Sequence, residues 1–222
     1  MHIRIATLAL AVFALLPFAA LGAAESPDFS HDGLQPVKSK KVDTLYRRPG
    51  ATLTPYTRVA LLDCEIAFRK NWQRDQASGG VRVTGAEMDR IRKTLAGDFR
   101  KIFSEELGKA GYTITKQPGD DVLVLRPAII GLDITAPDVL TAGRSRSYAT
   151  SAGEMTLFLE LFDGATGEII ARVVDRRQAR DQGRLMWQNA ITNRSEADRM
   201  LRKWAVLARE SLDEAKASSA TP

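Results

Sequence analysis

Apolar and polar positions follow three rhythms along this chain. From Arg58 to Phe68 they alternate, with Ala60, Leu62, Cys64, Ile66 and Phe68 on one side and Val59 and Leu61 on the other. Period two over this length predicts a strand. Arg69 to Arg82 is polar, contains glycine and predicts a loop. From Thr84 the period changes. Met88, Ile91, Leu95, Phe99, Ile102, Phe103 and Leu107 recur at steps of three and four, so one apolar stripe runs along a long helix. Thr84 and Glu87 have capping-box spacing, which satisfies two free backbone N–H groups at its start. Asp89 with Lys93 and Glu105 with Lys109 are i,i+4 pairs, and Gly111 is the expected stop.

Short strands follow. Tyr112–Thr115 is one. Val122–Leu125 and Ala128–Ile134 are two more, or one long strand bent at Pro127, and Pro118-Gly119-Asp120 makes the turn before them. Residues 136–153 form a loop carrying Arg144 and Arg146. Glu154–Asp163 and Glu168–Arg177 predict a hairpin around Gly164-Ala165-Thr166-Gly167. Residues 178–194 are basic and irregular and include Trp187. A last helix starts near Ser195, with Met200 or Leu201, Trp204, Leu207 or Ala208, and Leu212 on its buried stripe. The order is strand, helix, several strands, helix. It predicts an α+β fold: a mostly antiparallel sheet of about five strands with two long helices on one face.

The strands are too apolar for a sheet wet on one side. Phe158 and Phe162 oppose Leu157, Leu159 and Leu161, Ile170 and Val174 oppose Ile169, Ala171 and Val173, and Val122 and Val124 oppose Leu123 and Leu125. Two helices roof one face, so something else covers the other. The candidates are the chain's own 25–55 segment or 136–153 loop, or another molecule.

The ends of the chain change the picture. Met1–Arg4 is basic, Ile5–Leu16 is apolar, and Pro17 leads into small residues to Ala24. These are the three parts of a secretory signal peptide. Cleavage after Ala24 puts Gly22 and Ala24 at the third and first positions before the cut, and Gly22 and Ala23 offer alternative sites. The competing reading is a retained anchor, because Ile5–Ala24 is uncharged and about the length that spans a bilayer. The expected organisation is a leader over 1–24, a proline-punctuated extended arm over 25–55, one domain over 56–217 and a disordered tail over 218–222. The 222 residues carry 32 basic and 27 acidic side chains, a net charge of +5 that becomes +4 once Arg4 leaves with the leader. That is a mild charge, and export disfavours a nucleic-acid partner.

Candidate chemistry is sparse. The single cysteine, Cys64, forms no intramolecular disulfide, and its apolar run predicts a buried thiol. Of the two histidines, His2 belongs to the leader and His31 to the arm, so triad, Cys-His and zinc chemistry lack their parts. No phosphate-binding glycine loop or dinucleotide fingerprint is present, and no cofactor is expected. Asp63 and Glu65 offer a carboxylate pair on the first strand, and Asp120-Asp121 is read as a turn. Arg144, Arg146, Arg176, Arg177, Arg180 and Arg184 would form an anion site if their loops converge, and Trp72 and Trp187 could stack on sugar rings.

Some segments resemble a bacterial family known as domain of unknown function 3313. They are Tyr46-Arg47-Arg48-Pro49-Gly50-Ala51, the Phe162–Glu168 hairpin, Val174-Asp175-Arg176-Arg177 and Trp204-Ala205. The resemblance runs from about Gly33 to Ala215. It implies an α+β fold and an envelope location, and it carries no established activity or site residue. Relatives are often lipoproteins, whereas here Ala24 stands where an acylated cysteine would be. The expectation is therefore an exported protein, periplasmic or associated with the outer membrane and not lipid-anchored. It acts as a non-catalytic interaction or structural module, with an envelope protein or a second copy as partner. Phe158 and Phe162, with Arg144, Arg146, Arg176 and Arg177, are the candidate contact residues. The alternative is an envelope protein that uses its loop arginines to hold an anionic glycan or lipid surface.

Overall fold

The computed structural model describes residues 32–135, 147–149, 153–179, 186–188 and 190–219. In chain order these form β1 (Gln35–Val37), β2 (Thr44–Arg47), β3 (Arg58–Leu61), β4 (Glu65–Phe68), α1 (Trp72–Ser78), α2 (Gly85–Lys109) and β5 (Thr113–Ile114). Then come β6 (Val122–Ile134), β7 (Ser147–Ala149), β8 (Gly153–Asp163), β9 (Ile169–Gln178), β10 (Met186–Gln188) and α3 (Ala190–Ser219). The fold is α+β, but its sheet is larger than expected and mixed. Eight strands run in the order β1-β2-β9-β8-β6-β3-β5, with β4 pairing farther along β6. β7 and β10 make a separate antiparallel pair. The parallel part has a plain cause. A strand, a long helix and a second strand on the same sheet form a crossover, which makes β5 parallel to β3. β6 then lies on the other side of β3, also parallel.

The expected single strand over 58–68 is broken. β3 pairs Leu61 with Leu125, whereas β4 pairs Glu65 with Ala128, so three residues on β6 face four here. One extra residue reverses side-chain parity. Val59 and Leu61 before the slip, and Ile66 and Phe68 after it, therefore meet the same core, while Leu62 is exposed. A second bulge, between Leu161 and Phe162, places Ile169 opposite Phe162 and turns Ile170 into the main core with Ala171. The simple alternation had put Ile169 and Ile170 on the reverse faces. β6 is one long strand, and it too slips near its end, at Gly131, whose φ of 63° suits a residue without Cβ.

The segment expected as a loop over 69–82 contains α1. Only Trp72 in it is fully buried; it stacks on Phe68 and donates its ring N–H to the Ile134 carbonyl at 3.2 Å. It belongs to the core and is not open to a sugar. The α2 capping box is present: Glu87 N donates to Thr84 Oγ1 at 3.2 Å, and Thr84 N donates to Glu87 Oε2 at 2.7 Å. The ion pairs on α2 differ from the expected ones. Asp89 pairs with Arg92 and Glu106 with Lys109, one step closer along the helix. α3 starts at Ala190, before Ser195. Phe99, Phe103 and Leu107 of α2 and Leu201, Trp204 and Ala205 of α3 share one core with Leu123, Ile129 and Leu157 of the sheet. Both long helices therefore lie on one face.

Candidate functional site

The other sheet face is where the sequence placed a contact surface. Register fixes its rows. Val124, Phe162 and Ile169 make one; Arg126, Glu160, Arg172 and Tyr46 the next; Ala128, Phe158, Val174 and Thr44 a third; and Ile130, Thr156 and Arg176 the last. Among these rows the second is ionic. Glu160 is 2% exposed and Arg172 7%. Arg172 donates from Nε at 2.9 Å and from Nη2 at 2.6 Å to Glu160 Oε1, and Arg126 donates from Nε at 2.7 Å to Glu160 Oε2. Asp32 closes the row, 2.7 Å from Arg172 Nη2. Glu160 is thus a buried carboxylate held by two guanidinium groups, the geometry in which charge is tolerated away from water.

Phe158 and Phe162 flank this row. The Arg172 guanidinium lies over Phe158 at 5.6 Å and that of Arg126 over Phe162 at 4.8 Å. Their surroundings then diverge. Phe162 packs against Leu34, Tyr46 and Ile169, a small second core to which the chain's own 32–48 segment contributes. Phe158 is half-buried in the next row, and Ile130 beyond it is 41% exposed. The chain therefore seals one end of the face, and apolar side chains remain at the other.

Of the arginines expected to converge, the two described, Arg176 and Arg177, point to opposite faces of the sheet. Arg176 binds Glu154 on the helix-free side. Arg177, in register with the buried Met155, donates to Asp175 Oδ2 at 2.5 Å and to the Lys41 carbonyl. Arg144, Arg146, Arg180, Arg184 and His31 lie outside the described residues, and Trp187 falls on β10. Asp63 and Glu65 are parted by the β3–β4 slip. Asp63 is paired at its exposed surface with Arg100, and neither carboxylate lines the cleft of about 290 Å³ between α2, α3 and the ends of β6 and β8. Asp121 is held by Arg58 and Thr57, and hydrogen bonding from Arg58 brings its pKa down to about 2. Burial pushes the Cys64 thiol up to about 12, as a structural cysteine requires. Among the described residues no group of three or more potential ligands could hold a metal, and no helix is long and apolar enough to cross a membrane.

Sequence reasoning missed Glu160, Arg172, Arg126 and Asp175. Asp175 is buried on the helix side, where it accepts from the Trp204 ring N–H at 2.7 Å and from the Asp43 backbone N–H at 3.1 Å. The signal was a charge at an inward position of an otherwise apolar strand, which in a folded domain means a paired charge.

The site is thus a mixed sheet with helices on one face and an aromatic-flanked ionic row on the other. The chain belongs to the family described as "Protein of unknown function (DUF3313)", whose model matches residues 24–208. No curated protein matches it. Among solved structures it is similar to the PelC dodecamer from Paraburkholderia phytofirmans, at 14% identity over 75% of this chain and 95% of that one, with a TM-score of 0.37. It is also similar to a putative neuraminyllactose-binding hemagglutinin homolog from Helicobacter pylori, at 12% identity over 85% and 97%, with a TM-score of 0.40. A third is the rare lipoprotein B from Shewanella oneidensis, at 14% identity over 70% and 94%, with a TM-score of 0.27.

Proposed function

We propose that this protein is an exported, non-catalytic interaction module of the bacterial envelope. Its helix-free sheet face holds a protein partner at the Phe158–Ile130 end. The observation that carries the reading is Ile130: a large aliphatic side chain, 41% exposed, two residues from Ala128 and diagonal to Phe158 on a face with no helix over it. A half-open aromatic beside an exposed aliphatic, rimmed by Arg176 and Glu154, suits the centre of a small protein contact. The basic and apolar leader over 1–24 supports export.

Phe162 and Ile130 make different tests. Phe162→Ser opens the Leu34–Tyr46–Ile169 core and is expected to lower stability. Ile130→Glu changes only surface, so its stability should stay within about 0.5 kcal/mol of the parent. In cells treated with a crosslinker, Ile130→Glu should remove the crosslinked species formed by the parent protein. An unchanged crosslinking pattern from a folded Ile130→Glu protein would remove the reading.

A further inference from the structure

We infer that the cleft on the helix side is a second site, one that takes an uncharged apolar small molecule. Its walls come from four elements: Ile91 and Leu95 of α2, Leu132 and Ile134 of β6, Met155 of β8 and Met200 of α3. The walls are aliphatic or thioether, and methionine side chains adjust to the shape of what they meet. The volume of about 290 Å³ is at the lower end of the range of small-molecule pockets, about 300–1,000 Å³, which suits a short alkyl chain or a small ring system.

Charge decides the class of occupant. Four carboxylates line the cleft, and each has an arginine. Asp98 pairs with Arg194 at 2.9 Å, Asp133 with Arg69 at 2.6 Å, Glu196 with Arg199 at 2.5 Å, and Glu154 with Arg176. Arg90, also in the lining, is itself engaged. A cationic ligand would have to displace a guanidinium from its carboxylate. An anionic one would be drawn in beside four carboxylates. An uncharged apolar group disturbs none of these pairs and exchanges water for aliphatic wall, which is the favourable exchange in such a pocket. The apolar walls of this site lie on the opposite sheet face from Ile130, and the Glu154–Arg176 pair is the one feature that borders both sites.

The test uses the full chain and the neutral fluorophore N-phenyl-1-naphthylamine. Saturable uptake is expected, with displacement by 1-decanol at a concentration at least tenfold lower than by decanoate or decylamine. Ala197→Phe places a ring in the cleft and should weaken uptake at least tenfold with no fall in melting temperature. Thr94→Trp, at an exposed lining position, is a second filling variant should Ala197→Phe fail to fold. Absence of saturable uptake by the parent, which would mean that the chain's own segments occupy the space, overturns the proposal. So does uptake unchanged in a folded filling variant, or equal displacement by the charged amphiphiles.

Discussion

Asp163 shows how much one side chain settles locally. Its Oδ1 accepts from the backbone N–H groups of Ala165 and Thr166, at 3.0 and 2.6 Å, and from the Thr166 hydroxyl at 2.9 Å, which fixes the turn between β8 and β9. Its Oδ2 accepts from the Tyr56 hydroxyl at 2.7 Å and so ties that turn to the segment before β3. The Tyr56 hydrogen bond, then those from Thr166, bring the Asp163 pKa down to about 2, while burial and then Asp163 push the Tyr56 hydroxyl up. An unfolded aspartate titrates near about 3.9. The stabilisation from the depressed carboxylate is therefore complete above that value and is lost as pH falls toward 2. Asp163→Asn should cost about 2 kcal/mol at pH 7, the scale of hydrogen bonds to a charged acceptor. Urea unfolding at pH 7, 4 and 2.5 should show the gap between parent and variant closing with acid. A gap that stays constant would assign the loss to packing instead.

At the scale of elements, the Arg126–Glu160–Arg172 row joins three strands through charge on a face where the neighbouring rows are apolar. Removing Glu160 leaves the buried Arg172 with Asp32 as its remaining carboxylate, while Arg126 can turn to solvent, so Glu160→Gln should destabilise by about 3 kcal/mol, the lower end for breaking a buried ion pair. Glu160→Leu combined with Arg172→Met should recover most of that loss in chemical denaturation. A double variant as unstable as the single would show that the row contributes more than charge balance. The same scale separates what was legible in the sequence from what was not. α2 could be read because its start, stripe and stop are all local: Thr84 with Glu87, apolar steps of three and four, and Gly111 with its φ of 80°. The β8–β9 hairpin could be read because its turn residues lie between two apolar runs. α1 was not legible, because in WQRDQAS a single tryptophan gives no stripe. The faces of β3, β4 and β9 were misassigned because periodicity assumes an uninterrupted strand, and one added residue at 62–64 or one slip beside Phe162 inverts everything beyond it.

For the whole molecule, the helix roof and the helix-free face were legible as a count: two amphipathic helices cannot cover both sides of the sheet. The ionic row was not, because partner choice depends on register across β6, β8 and β9 that no single segment encodes. The cleft was equally hidden, since its walls lie as far apart in sequence as Ile91 and Met200. Stability should also be uneven. β6 and β8 are paired along most of their length at the centre of the sheet, whereas β1 and β2 form a short exposed edge held by Tyr46, by Asp43 on Asp175 and by Asp32 on Arg172. Native-state hydrogen exchange should rank the amides of 35–47 well below those of 123–130 in protection. Equal protection in both regions would mean that the edge opens only with the whole domain. The pairing of β2 with β9 joins Thr44 to Val174. Local turns cannot bring these two strands together, and the entropy of closing so long a loop has to be met before either gains a neighbour. A growing polypeptide therefore cannot seat β1 and β2 on the sheet until Val174 has been made, and until then those strands stay open to whatever escorts the chain.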